Sequence, residues 1–549
     1  MGGGGGIIGA IVGAVVVVIG VWTGQPQLIM MGVTMMASSI ISAVTAPKPP
    51  SYDQNTSNQL TLNSGSNVQV PPATNNKLPV VYGSTFIGGT VTDLSITSDN
   101  QNLYYVVSIS EVTNSGASTI TFGDIFYGGK KVVLDGTSVT GLIDTSTGAV
   151  DTAVNGLIHF YLYNNGSLNP TNTTATAIEV MQADGLTYTW DSTKLMTNTV
   201  FAIIRLTYNT NANVTQLAQT QFQINNSTNN TGDVLYDYLT NTVYGAAIDP
   251  TQIDTASLTA LTAYSNELIT FNDHLGVPST QARFKFNGAV DTTKSVMVNL
   301  QNMTACCDCL LKYNEIYGQW SIVVQSPSTP SVMDINDSNM ISAITITTLD
   351  ISNTYNIAEC QFPDMTLNSA FNTSTIDLSE VDPSLLYPNE PQNSQTIALP
   401  LVNNDVQAQL LATRFLKSAR QDLQIQTTIN FTGLELEAGD IVSVTNANYG
   451  WVAKLFRCLR VEQNFQSDSG ITVSLLLQEY DPAVYDDVSI TQYAPPPNTG
   501  LPSPSTFGTI PPPVVASTTP NGANPTITLA ITSSSAGIAQ YAEVWYSIY

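Results

Sequence analysis

Apolar residues alternate with polar ones over much of this chain, in short runs divided by Asn, Gly, Ser and Pro. That pattern predicts mostly strands and turns. Tyr105, Val107 and Ile109 share one face of residues 103–110, as in a half-buried strand. Residues 79–82, 123–130 and 200–207 read the same way, and the last is expected to close the first domain. Between 233 and 271 the spacing becomes helical, with Val234, Leu235, Tyr238 and Leu239 on one helix and Leu258, Leu261 and Leu268 on a second. Residues 283–288 return to strand. Val296, Leu300, Met303, Cys307 and Leu310 fit an amphipathic helix, with a strand after it at 318–324. Further strands are expected at 341–349, 355–362, 423–434, 440–445, 451–461 and 471–480. Among them, Asn403 and Asn404 can cap a helix bearing Leu411, Phe415 and Leu416. Its Asp405 lies near the start and Arg414, Lys417 and Arg420 toward the end, as the helix dipole prefers.

Residues 1–47 differ from everything after them. The first charged side chain is Lys48, and a glycine run leads into two apolar stretches, 7–22 and 28–44, divided by Thr23-Gly-Gln-Pro-Gln27. Small residues such as Gly9, Gly13, Gly20 and Gly32 let two helices pack closely, so an apolar helical hairpin is expected. Each stretch as a helix is roughly 24 Å long, short of the ~30 Å hydrocarbon core of a bilayer. No Lys or Arg flanks the stretches to orient them, and no cationic segment marks a signal peptide. The expected contact residues are Ile7, Val15, Val16, Val17, Ile19, Trp22, Leu28, Met31, Met35 and Ile40. They would meet either a membrane or an apolar protein channel, and the local pattern leaves both open.

Composition narrows the class. The 549 residues are 43% hydrophobic but only 10% charged, with 41 acids against 16 bases and a net charge of −25. The polar surface must therefore be Asn, Thr, Ser and Gln. The length suggests several domains, and the composition fits neither a disordered chain nor a long coiled coil. A reader of duplex DNA needs a basic face that so few cations cannot easily supply. No base lies between Tyr313 and Thr413, nor from Val461 onward. That is either a solvated acidic surface or a wall that repels phosphates. Asp334, Asp337, Asp350, Asp377 and Glu380 are the candidates for the wall.

Catalytic chemistry is hard to find. The five cysteines (Cys306, Cys307, Cys309, Cys360, Cys458) are odd in number and partly crowded, which fits packed, reduced thiols rather than a disulfide scaffold. Cys306-Cys-Asp-Cys309 has no second pair at zinc spacing, and His159 and His274 sit in no metal pattern. Nucleophile-elbow and phosphate-loop motifs are missing. Glu380, Asp382 and Glu390 read as solvated loop acids before they read as a glycosidase pair. No catalytic residue, cofactor or metal ligand is assigned, and no enzyme is expected.

Several segments carry a resemblance when taken in order. They are Leu78-Pro-Val-Val-Tyr-Gly83, Tyr104-Tyr-Val-Val-Ser-Ile-Ser-Glu111 and Asp124-Ile-Phe-Tyr-Gly-Gly-Lys130, then Asp233-Val-Leu-Tyr-Asp-Tyr-Leu-Thr-Asn-Thr-Val-Tyr-Gly245. Arg283-Phe-Lys-Phe-Asn-Gly288 with Trp320, Gly439-Asp-Ile-Val442, Lys454-Leu-Phe-Arg457 and Glu479-Tyr-Asp-Pro-Ala-Val-Tyr485 follow. From about Leu78 to Asp487 the chain resembles the tail-tip hub family of long-tailed bacteriophages, the lambda-type host-specificity or tip attachment protein J. The resemblance implies a mainly β, multidomain protein, with α+β hub domains of twisted antiparallel sheets and a few helices. The organisation expected is an apolar hairpin 1–47, linker 48–77, β-rich hub domain 78–232, helical segment 233–278 and small α+β hub domain 279–332. A β-rich hub domain 333–490 and a proline-rich linker 491–513 come next. Over 514–549, residues 526–531 and 541–546 resemble the first strands of a fibronectin type III module. Such a sandwich needs about 90–100 residues, so the sequence is expected to stop inside it.

The function implied is that of a structural virion protein at the tail tip, made in the bacterial cytoplasm, closing the tail tube and opening for DNA ejection. A homotrimer is implied, with distal tail, tape-measure and tail-fibre or receptor-binding proteins as partners. DNA would pass without being bound, and the hairpin would meet tail proteins or the host membrane. Two rivals stand beside this: a membrane-anchored surface adhesin, and a carbohydrate-active enzyme using Glu380 or Asp382.

Overall fold

The computed structural model describes residues 76–492 apart from 184, 315–316, 349–353 and 467–469, together with two later strands. The hairpin residues from Ile7 to Ile40, the linker up to residue 75, and Asp350 lie outside the described residues. The described part is mainly β. Its first strands are β1 (Val80–Tyr82), β2 (Ser84–Ile87), β3 (Thr90–Ile96), β4 (Asn102–Glu111), β5 (Ile120–Tyr127) and β6 (Lys130–Asp135). Then come β7 (Ser138–Ile143), β8 (Val150–Asp151), β9 (Ile158–Tyr163), β10 (Thr199–Thr207) and β11 (Thr220–Asn226). Three short strands follow later, β12 (Leu268–Asn272), β13 (Pro278–Ala282) and β14 (Gly288–Val290).

The first eleven strands and β14 form one sheet, in the order β14-β1-β4-β10-β9-β7-β6-β5-β11-β2, with β3 on β4 and β8 on β7. β1 and β2 stand near opposite ends of that order, yet only Gly83 separates them. The sheet therefore curls into a nearly closed barrel. Gly83 turns this corner at a φ of 62°, and a Cβ there would meet the Phe286 carbonyl oxygen at 2.2 Å. Residues 123–130, expected as one strand, are a hairpin, because Gly128 and Gly129 both take positive φ between β5 and β6. β10 is not the last strand of this sheet in sequence: it lies in the barrel wall between β4 and β9, and β11 follows it.

β4 departs from the half-buried pattern. Val107 and Ile109 join Phe160 and Phe222 in the barrel core. Tyr104 and Val106 on the other face join Tyr163, Phe201 and Trp190 in a second core. The short helix α1 (Ala177–Val180) supplies Ala177 and Val180 to that second core, so an added layer buries the face that would otherwise be wet.

Helices follow the barrel: α2 (Thr231–Thr240), α3 (Thr255–Asn266) and α4 (Val296–Cys306). Val234, Leu235, Tyr238 and Leu239 are buried as their spacing predicts, and so are Leu258 and Leu261. Leu268 is not. It opens β12 and is 69% exposed, because α3 ends at Asn266. α4 stops at Cys306, leaving Cys307 at its C-cap and Leu310 in β15 (Cys309–Asn314), which pairs with β16 (Gln319–Val324). Residues 283–287 belong to no strand, because their backbone N–H groups bond to no neighbouring strand. Phe284 donates to Ser265, Phe286 to Asn229 and Asn287 to Leu401.

Two more sheets complete the body. A six-stranded sheet runs β17 (Met333–Ile335), β23 (Ile441–Asn446), β24 (Trp451–Gln466), β25 (Gly470–Glu479), β22 (Leu423–Ile429), β18 (Thr345–Thr348), around a core that includes Ile425, Val442, Phe456 and Leu475. A three-stranded sheet runs β20 (Ala370–Asp377), β19 (Ile357–Asp364), β21 (Ser394–Ala398). One face of the latter packs beneath α6 (Asp405–Ser418) through Ala358, Cys360 and Phe362. Between β20 and β21 in sequence lies the short α5 (Leu378–Val381). The largest core gathers residues as distant as Val80, Leu235, Phe284, Met303, Leu411 and Ile490. β26 (Ile490–Thr491) adds a parallel strand beside β12. Separately, β27 (Val514–Thr519) and β28 (Thr526–Ala530) pair antiparallel. Of the fibronectin-like expectation, this hairpin is described, while residues 541–546 lie outside the described residues.

Candidate assembly site

Several buried charges lie where distant segments meet. Arg414 lies on the inner side of α6, only 2% exposed. Its guanidinium donates to the Asp308 carboxylate at 2.7 Å, to the Tyr485 carbonyl at 2.9 Å and to the Tyr264 hydroxyl at 3.0 Å. Asp308 stands on the turn between α4 and β15, at a positive φ of 50°. Beside this pair, Arg283 donates to Glu267 at 2.6 Å and to Asp487 at 2.8 Å, and stacks 4.2 Å from the centre of the Tyr264 ring. Three separated segments are thus tied around two arginines. A buried cation needs an anion, and Asp308 supplies it, while the Arg414 Nε has no partner among the described residues.

A second tie holds the loop after α5. Arg420, just past α6, makes a two-pronged pair with Glu390 at 2.6 and 2.9 Å and donates to the Tyr355 carbonyl. Burial alone would raise the Glu390 carboxyl, but the Arg420 bonds outweigh it and hold the group below the usual range. Glu390 is therefore a paired, buried acid and not the solvated loop acid the sequence suggested. Arg414 and Arg420 likewise serve these pairs, and only Lys417 remains as a base in the last turn of the helix. A third tie joins barrel to helices. The Tyr82 and Tyr244 hydroxyls both donate to Asp237 at 2.7 Å, and the Asn114 amide donates to it at 2.9 Å. Burial and the Asp237 charge push the Tyr82 hydroxyl well above its ordinary range.

The candidate wall acids do not converge on one element. Asp334 is on β17 and accepts from Ser443 and Asn336 at 2.8 Å and from Thr445 at 3.2 Å. Burial works against its charge, but these bonds win and hold its carboxyl below the ordinary range. Asp337 follows in an exposed turn. Asp377 belongs to a different sheet, where it caps α5 by accepting from the Ser379 amide at 2.8 Å, with Glu380 exposed one turn on. Asp382 accepts from the Ser384 hydroxyl.

All five cysteines are buried and free. Cys307 and Cys309 place their sulfurs 3.4 Å apart, and burial pushes the Cys306 thiol up to about 12. Metal ligation needs thiolates, which this environment disfavours. Among the described residues no group of three His, Cys, Asp or Glu side chains is placed to hold a metal ion. Nor is any described helix long and apolar enough to cross a membrane. The arrangement holds segments together and offers no assembled reactive constellation. Sequence reasoning missed Asp308, Arg283 and Asp487 altogether. The available signal was Arg414 itself, a cation one turn on from Leu410 and Leu411 on the buried stripe.

No protein-family profile matches the chain. The similarities found are to components of phage tails and related particles. By sequence, the chain is 23% identical over 475 residues to the baseplate hub protein pb3 of Escherichia phage T5, covering 74% of this chain and 48% of that protein. It thus spans about half the length of the curated relative it matches. That relative is named a baseplate hub protein, so the likeness speaks at the level of a hub and not of tip attachment protein J. Among solved structures, a chain of the native gene transfer agent virion aligns with a TM-score of 0.49 at 11% identity, covering 77% of this chain and 90% of that one. A tail protein from Neisseria meningitidis MC58 aligns with a TM-score of 0.30 at 11% identity, over 74% and 98%.

Proposed function

We propose that this chain is a structural hub component at the distal end of a phage-type tail. The observation that carries the reading is the similarity, over three-quarters of the chain, to a protein named a baseplate hub. The many-segment body fits a scaffold, since its buried charges serve as ties and its acids lie apart. In this reading copies assemble about an axis as a trimer, with distal tail and tape-measure proteins above and tail-fibre or receptor-binding proteins around. The lambda-type tip attachment resemblance adds closure of the tube and its opening for ejection. Residues 7–44 would then lie against tail proteins in the lumen and be released toward the host envelope. The test is negative-stain imaging of particles labelled with antibody to the chain. Label at one tail end supports a hub, and label on cell envelopes without particles overturns it in favour of an adhesin.

A further inference from the structure

Among the described residues the three-stranded sheet has two open edges on opposite sides. β20 and β21 flank β19, and no described residue pairs with the outer side of either. Proteins ordinarily guard such edges with Lys, Pro, bulges or a covering element. Neither strand contains Lys, Arg or Pro, and both keep an unbroken register with β19, over eight residue pairs for β20 and five for β21. The outward backbone groups that have partners are bonded only by neighbouring amide side chains. The Thr373 N–H donates to the Asn372 side chain at 2.9 Å, and the Thr396 carbonyl accepts from the Gln395 side chain at 3.0 Å. Such local bonds are readily exchanged for strand pairing.

From these edges we infer that β20 of one copy pairs antiparallel with β21 of the next, so that copies join head to tail through a continued sheet. β20 runs antiparallel and β21 parallel to β19, so the two edges meet antiparallel when the sheet repeats. The occupant is a second copy for two reasons. The two edges have matching character and face opposite ways, which is the geometry of a heterologous, head-to-tail contact, and such a contact makes a ring when its rotation closes. In addition, a chain of net charge −25 can approach itself only where it carries little charge, and across both strands the single charged side chain is Asp377. The inference deepens the hub reading, which requires copies around an axis.

Thr375 and Thr396 both pair with Glu359, so all three lie on the face away from α6. Within one chain they are two strand spacings apart, about 9.5 Å, beyond the ~7 Å Cα limit of a disulfide. Because every native cysteine is buried, added surface thiols react without background. The experiment oxidises the full chain carrying Thr375→Cys with Thr396→Cys, and for neighbouring registers Thr373→Cys with Thr396→Cys and Thr375→Cys with Ser394→Cys. At least one pair is expected to give a closed covalent oligomer on non-reducing gels, while each single substitution gives none. A Thr373→Lys/Thr375→Lys variant should sediment as monomer with an unchanged melting temperature. Crosslinking by a single cysteine, no crosslink from any pair, or an unaltered oligomer in the Lys variant overturns the inference. So does a crosslink to another tail protein in particles. Covalent rings with no label on tails would instead fault the hub reading alone, and labelled tails without rings would fault only the pairing.

Discussion

Asp308→Asn would leave the buried Arg414 guanidinium with only the half-exposed Asp487 carboxylate, 4.0 Å away, as an anion, and removing one partner of such a pair costs about 3–5 kcal/mol. The expected outcome is a large fall in the thermal midpoint. Replacing both, Arg414→Met with Asp308→Leu, should cost much less than the single change, because no uncompensated charge remains. Scanning calorimetry of the two variants checks this, and equal losses would show that the tie acts by shape instead. The Glu390 pair makes a pH prediction. Its carboxyl is held below the usual range in the folded chain, so its stabilising contribution is full above the unfolded carboxylate range. It is lost as pH falls through the lowered folded value. The melting difference between wild type and Glu390→Gln should therefore be widest near neutral pH and close in acid. A gap that persists unchanged into acid would mean the ion pair is not its source.

Helix crossing sets the next scale. α2 and α3 meet at Gly232, where an added Cβ would sit 2.2 Å from the Leu258 carbonyl oxygen and 2.4 Å from the Thr262 hydroxyl. Helix propensity favours Ala over Gly by about 1 kcal/mol, but the backbone oxygen cannot step aside, and overpacking costs about 1–3 kcal/mol. Gly232→Ala is accordingly expected to destabilise, measured as a lower denaturation midpoint; a raised midpoint would show that the helices can separate cheaply. At the start of α6 the Asn404 side chain accepts from the Gln407 amide, as the sequence suggested. Elements with strong periodicity were legible in this way: α2, α6, β4 and β25 follow from spacing and caps. What periodicity could not supply was the second layer over β4, because Trp190 and Ala177 are distant in sequence from the face they bury. The Gly128-Gly129 turn carried a visible signal in its two adjacent glycines. The Arg414 tie was signalled by Arg414 alone, since its anion is 106 residues away and nothing local to Asp308 reveals its partner.

At the scale of the whole molecule, the excess of acid would bear on passage of DNA under the proposed hub function. A hub that let DNA through without holding it would gain from acidic and neutral polar walls, because each neutralised phosphate adds affinity. The structure separates the candidates by what a substitution would disturb. Asp334 is bonded to Ser443, Thr445 and Asn336, so replacing it would unsettle β17 and β23 and confuse the result. Asp377 caps α5 and is unsuitable for the same reason. Asp337 and Glu380 are exposed and give the clean test. If they face the passage, Asp337→Lys with Glu380→Lys should slow genome ejection at low salt. Screening shortens the reach of charge to about 8 Å at physiological ionic strength and about 3 Å at 1 M, so the slowing should fade as salt rises. Ejection timed on single particles at both salts reads this directly. An unchanged rate at low salt, with normal particle assembly, would assign these acids to solubility alone.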